Sequence, residues 1–279
     1  MKKEIEFPTC WEEVHPLEWQ KLLKLRERLA TEQGISLLDV KRRWTEYVLK
    51  RRSMRNLRTE RGYLLINELA KTLGWQWHVE TVTGADERQG EEISLTFEGI
   101  VNLLPEYGIL QGPASYGSDI TFGEFRRAVV VMNNYTQHHD DMSLLALCGI
   151  LYRKRINKDG VNLRIPFDQE LIGSYIQVAH RIPTHLRWGI YAWFSNFCEW
   201  VYTGTFIIDG KELCFAPLFE RNTADENSQT QDLGMASILY SVAESGVFGN
   251  AEQTDNTLLF SVLMKMLNDK QQIDQLKKK

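Results

Sequence analysis

The run His138-His139-Asp140-Asp141 is the densest group of potential metal ligands and proton carriers in the chain. Imidazole nitrogens and carboxylate oxygens bind divalent metals, and His-Asp pairs occur in metal phosphohydrolases. A metal-dependent hydrolase using His139 and Asp140 is therefore one reading. Against it, adjacent residues rarely point at one ion, and the run falls between two helical segments, where Asp140 or Asp141 is already accounted for as a helix cap. His180 and His185 flank Pro183 and share no helical face, and His78 alternates within a strand-like segment as a surface residue. Cys10, Cys148, Cys198 and Cys214 are scattered, form no C-x-x-C pair, and read as reduced core thiols of a cytosolic protein. The chain lacks a phosphate loop, a dinucleotide fingerprint, an H-E-x-x-H helix and a G-x-S-x-G elbow. The expectation is no catalytic residue, no metal and no cofactor.

Charge offers a second kind of chemistry. Residues 41–61 carry nine basic side chains against Glu46 and Glu60, so the net charge of −4 divides into +7 there and −11 elsewhere. Arg51, Arg52, Arg55 and Arg58 in this stretch could meet phosphates bidentately, which would make the protein a nucleic-acid binder, or could meet an acidic protein. A solvated helix face explains the same residues. Trp44 and Tyr47 fall on the apolar side of that helix and read as core rather than as base-stacking platforms, so nucleic acid is not the expected partner. Eight tryptophans point to a large aromatic core. Trp11, Trp19, Trp75 and Trp77 lie near candidate domain edges, and are the ones expected to line a groove for a partner.

The elements that would position these residues are mostly helical. Pro183 to Gly204 carries Leu186, Ile190, Trp193, Phe194, Phe197 and Val201 at helical spacing, with Trp188, Tyr191 and Trp200 on the remaining faces. Such a helix is central, buried on more than one side. Asn196 and Glu199 interrupt it, so it is no membrane span. Upstream, Thr9 with Glu12 has capping-box spacing for a turn at 10–14, and a helix follows at 16–30 with Leu17, Leu22, Leu25 and Leu29 inward. Ser36 with Asp39 starts the next helix, and 62–75 reads as another. Residues 75–82 and 93–97 alternate as a hairpin, and 98–118 read as a loop.

Thr121 and Glu124 form a second capping box, opening a helix to about Asn133, with Ile120 and Phe125 as its staple. Asp140 or Asp141 caps a helix through Leu151, and 168–180 forms another with Leu171, Ile172, Tyr175, Ile176 and Ala179. Residues 206–215 form a hairpin turning at Asp209-Gly210. A polar, aperiodic loop is expected at 220–231, then helices at about 232–245 and 254–276. The fold class is mainly α (α+β): a multi-helix domain around a central buried helix with two small β-hairpins. The boundaries read as 1–74, 75–112 and 113–279. The start MKKEIEFPTCW lacks the apolar segment of a secretory signal, so a cytoplasmic protein is expected.

The order of several features resembles a known family. These are F-P-T-C-W-E-E-V at 7–14, T-F-G-E-F at 121–125, L-L-A-L-C-G-I-L-Y-R at 144–153, I-P-F at 165–167, E-S-G-V-F-G at 244–249 and a terminal helix from Thr254. They are similar to phage and prophage tail assembly chaperones and related proteins encoded near the tape measure gene. The resemblance covers most of 7–17 and 121–270 and leaves out the hairpin at 75–97. It implies a non-enzymatic protein of the host cytoplasm. Such a protein binds the long, helical, aggregation-prone tape measure protein until tube subunits replace it. The resemblance brings no catalytic residue. A structural virion component, such as a tail-completion or connector protein, is the alternative within the same setting, and a homo-oligomer remains open.

Overall fold

The computed structural model of the chain describes residues 6–54, 56–83, 89–208, 210–219 and 242–277. Arg55, Asp209, the expected loop at 220–231 and most of the expected helix at 232–245 lie outside the described residues. The architecture is mainly α with small antiparallel sheets. By contact the chain divides into two compact units, residues 1–104 with 183–193, and residues 105–182 with 194–279. No helix among the described residues is long and apolar enough to cross a membrane.

Unit one is built on three helices, α1 (Pro16–Thr31), α2 (Leu37–Arg51) and α3 (Glu60–Lys71). Local chemistry sets their starts. His15 caps α1 with Pro16 at its first position, and Ser36 and Asp39 form the expected reciprocal box at α2. Their buried faces carry Trp19, Leu22, Leu23 and Leu25 from α1 and Val40, Trp44, Val48 and Leu49 from α2. The Trp44 indole donates to the Glu18 carbonyl at 2.8 Å, which ties α2 to α1 inside the core. Leu49, Leu57 and Ile66 join α2 to α3. Strands β1 (Trp77–Thr83) and β2 (Gln89–Leu95) pair antiparallel as a two-stranded ribbon.

The first half of the long helix α7 (Thr184–Thr203) completes unit one. Gly189 of that helix lies so close to α1 that a Cβ there would stand 2.4 Å from Leu23 Cδ1. The Trp193 indole donates to the Ile100 carbonyl at 3.2 Å. Two expectations fail in this unit. Leu17 is exposed, because a residue five before Leu22 faces away at about 100° per residue and Glu18 takes the inward place. Thr9 does not cap with Glu12; its amide and hydroxyl donate to Glu13 at 2.7 and 3.1 Å.

Unit two packs α4 (Phe122–His138), α5 (Asp141–Leu151) and α6 (Ile172–Ala179) with the second half of α7 and a terminal helix, Leu259–Lys277. Phe125, Phe194, Phe197, Phe206 and Phe215 are buried together. Leu171, read as part of the helix at 168–180, instead ends a short 3-10 turn before α6 begins and is exposed. The single helix expected at 254–276 is broken into Ala251–Asp255 and Leu259–Lys277. The break is used: the Phe122 amide donates to the Thr257 carbonyl and the Leu259 amide to the Ile120 carbonyl, at 2.8 and 2.9 Å.

The sheet of unit two runs in the order β3 (Glu106–Tyr107), β4 (Leu110–Gln111), β5 (Arg153–Lys158), β6 (Val161–Arg164). Its first two strands fall in the segment read as loop, 98–118, which also buries Leu103 and Leu104. The β5–β6 hairpin was not among the expected elements. It turns on Asp159 and Gly160, at φ 53° and 80°, the two left-handed residues of a type I′ turn. A further hairpin, β7 (Thr205–Ile208) with β8 (Lys211–Cys214), lies where the sequence predicts it.

Candidate functional site

The basic stretch separates into residues that fasten unit one and residues that face solvent. Arg52 belongs to the first group. Its Nε and Nη2 donate to Glu18 at 3.1 and 3.0 Å, Nη1 to the Glu6 carbonyl at 2.6 Å and Nη2 also to the Glu13 carbonyl at 2.8 Å. Glu18 is buried, and its carboxylate also accepts the His15 amide at 3.0 Å. His15 completes the arrangement. Its Nδ1 accepts the Leu17 amide at 3.2 Å, while Arg51 Nη2 lies 2.8 Å from both ring nitrogens. Burial first, and then the Arg51 charge, hold the His15 imidazole below its ordinary pKa and so in the neutral form that a cap acceptor needs.

These groups line an open hollow of about 470 Å³ with Glu12, Glu13, Val14 and Pro16. The hollow has the residue types of an acid-base site, but its imidazole caps a helix and its inner carboxylate is held by an arginine. The arrangement locks the start of α1 to the end of α2. Arg51 and Arg52, taken from the sequence as partner contacts, are therefore internal fasteners in large part. Arg58 is exposed.

The tryptophans proposed as partner anchors are core residues. Trp11, Trp19 and Trp77 are buried and Trp75 is half-buried. Trp11 stands 5.2 Å from Trp19 and 4.8 Å from Trp75, and Phe97 lies 5.1 Å from Trp11 and 5.0 Å from Trp19 between ring centroids. The edge-to-face and tilted packing of Trp11, Trp19, Trp75 and Phe97 gives them a structural role in holding the N-terminal turn, α1, the turn at Trp75 and the segment after β2 together.

The histidine-aspartate run does not converge. His139 has a left-handed backbone at the end of α4, with its ring against Tyr135 at 5.7 Å. Asp140 accepts the Ser143 amide at 2.7 Å as the cap of α5, and that bond, with the Ser143 hydroxyl, holds its pKa below the usual carboxylate range. His185 pairs with Glu27 at 3.4 Å, and His180 sits exposed at the end of α6. Among the described residues no three His, Cys, Asp or Glu side chains are grouped so as to hold a metal.

A charged cluster that the sequence reading missed lies within unit two. Glu124, read there as one half of a capping box, is fully buried. Thr121 Oγ1 does accept the Glu124 amide at 3.3 Å, but the carboxylate turns inward between two buried arginines. Arg153 meets it at 3.1 Å and Arg164 bonds it through Nη1. Arg153 also donates to the Ile165 carbonyl, and Arg164 to the Leu151 and Asp119 carbonyls and to the Asp119 carboxylate. Burial pulls the Arg164 pKa down, but Glu124 and Asp119 outweigh it and hold it up. Two cations and two anions balance, with guanidinium and carboxylate bonded on several sides, so the cluster is a structural bolt. Nearby, Arg126 grips Asp255 at 2.7 Å beside a hollow of about 660 Å³ lined by Phe167, Asp168, Glu170 and Glu252.

What unit one offers outward is a different surface. Arg42 Nε donates to Asn67 Oδ1 at 2.6 Å and joins the outer faces of α2 and α3. Leu38, one turn before Arg42, is 41% exposed, and Tyr63 and Leu64, one turn before Asn67, are each 58% exposed. Arg43, the next residue on α2, is exposed and acts electrostatically on Lys21 and Glu32 at the α1 side. Nothing in the residue types of Tyr63 and Leu64 distinguishes them in sequence from inward positions. No protein-family model, curated protein or solved structure matches the chain.

Proposed function

We propose that the protein is a non-enzymatic assembly chaperone that holds an apolar, helical segment of a partner chain, as phage tail assembly chaperones hold the tape measure protein in the host cytoplasm. The observation that supports this reading is the outer face of α2 and α3. Leu38, Tyr63 and Leu64 remain open to solvent there beside Arg42, while the clusters with the right residue types for catalysis are committed to caps and internal ion pairs. An amphipathic helix meets such a face through apolar residues spaced three and four apart.

The test is to mix the purified protein with a long, aggregation-prone helical client chain and follow client aggregation by light scattering. Suppression at a stoichiometric ratio is expected. It should be lost in Tyr63→Glu with Leu64→Glu while the far-UV circular dichroism spectrum stays unchanged. Undiminished aggregation at a severalfold molar excess of the protein would overturn the proposal.

A further inference from the structure

We infer that residues 6–14 are an internal stand-in for a partner segment. They fill two aromatic sockets of unit one, and an extended client segment with two aromatic residues four apart takes the sockets over when these residues swing aside. The inference rests on the client-binding reading for the identity of that chain, but not for the exchange itself.

Residues 6–14 sit on unit one as a bound peptide sits on a receptor. They join none of its α-helices or strands, and their regular structure is one 3-10 turn, Trp11–Glu13. Among the described residues, their main chain is tied to the rest of the unit by hydrogen bonds from Arg52 alone. That side chain donates to the Glu6 carbonyl at 2.6 Å and to the Glu13 carbonyl at 2.8 Å. A guanidinium that holds backbone carbonyls reads the course of a chain and not its side chains. The Glu13 carboxylate turns back onto Thr9, so it fixes the shape of the segment rather than its seat.

Side chains make the rest of the contact. Phe7 stands 6.0 Å from Trp44 and packs against the Leu49, Leu57 and Ile66 cluster that joins α2 to α3. Trp11 enters a second socket formed by Trp19, Trp75 and Phe97. Aromatic anchors in pockets, with the main chain held by hydrogen bonds, are how grooves take extended peptides. An incoming segment with the same anchors regains the apolar burial that residues 6–14 give up. What opposes the exchange is the high effective concentration of the tethered segment.

A fluorescent peptide copying residues 6–15 tests this on the full chain. The variant Phe7→Ala with Trp11→Ala opens both sockets. It should bind the peptide at least about tenfold more tightly than wild type, whose own segment competes. A peptide carrying the same two alanines should not bind. Far-UV circular dichroism establishes that the variant is folded. If it is not, Phe7→Ala alone, which keeps Trp11 in place, should show a smaller gain. Cys10 gives a second readout in the unaltered chain, because it lies between the anchors and is half-buried. Excess peptide should speed its alkylation, located by mass spectrometry, while the buried Cys148 and Cys198 stay unreactive. A folded variant that leaves the peptide unbound at about 100 μM, or a Cys10 rate that a large excess of peptide leaves unchanged, would overturn the inference. The probe contains no client, so either result leaves the aggregation test standing. Failed suppression of client aggregation sinks only the chaperone reading.

Discussion

Replacing Glu124 by Gln keeps the shape of the side chain and removes its charge, which makes the consequence calculable. In the folded protein Glu124 is fully buried, and the Arg153 and Arg164 side chains that flank it are each 3% exposed. With Glu124 neutral, two buried guanidinium groups face one remaining carboxylate, Asp119, whose side chain is 38% exposed. Removing one partner from a buried ion cluster costs about 3–5 kcal/mol, because the charge left behind has lost both water and counter-ion. At about 2–4 °C per kcal/mol for a domain of this size, melting should fall by about 6–20 °C. Urea unfolding followed by tryptophan fluorescence and by far-UV circular dichroism measures the loss. The companion variant Glu124→Leu with Arg153→Met and Arg164→Leu removes every charge of the buried triad and should recover most of the stability. A Glu124→Gln protein within 1 kcal/mol of wild type would show that these groups are not desolvated in solution, and the reasoning would fail.

Other perturbations follow the same physics. Arg52→Ala leaves the buried Glu18 carboxylate with Arg51 at 3.9 Å as its remaining cation, and should cost about 3 kcal/mol in urea unfolding. His15 is held neutral in the folded state, below its unfolded pKa near 6.5, so its contribution is complete above that value and is lost as pH falls through the folded pKa. Urea midpoints measured between pH 7.5 and 5 should therefore fall toward acid, and His15→Asn, which can still cap α1, should flatten the trend. Gly189→Val forces a side chain onto Leu23 and should destabilise by about 1–3 kcal/mol in thermal unfolding. Thr121→Ala removes the acceptor for the Glu124 amide and should cost about 1 kcal/mol.

What the sequence determined by itself was local. The box at Ser36 and Asp39, the Asp140 cap, the stop at Gly204 and the hairpins at 77–95 and 205–214 all depend on partners a few residues away or on strict alternation. The β5–β6 hairpin escaped because five of the six β5 residues are exposed and carry no apolar alternation, although Asp159-Gly160 marked its turn. Tertiary structure decided the rest. T-x-x-E at 121–124 has the same spacing as a reciprocal cap, yet Glu124 turns to arginines 29 and 40 residues away. Trp11 and Trp19 look like edge anchors along the chain, and only the approach of Trp75 and Phe97 shows that they are interior. Tyr63 and Leu64 are large apolar residues within a predicted helix, and only the packing of α3 shows that they face water. A cap closes over one turn of backbone, so a short stretch of chain settles it. Burial of a ring or a charge depends on which distant segment arrives beside it, and that is settled only when the whole unit packs.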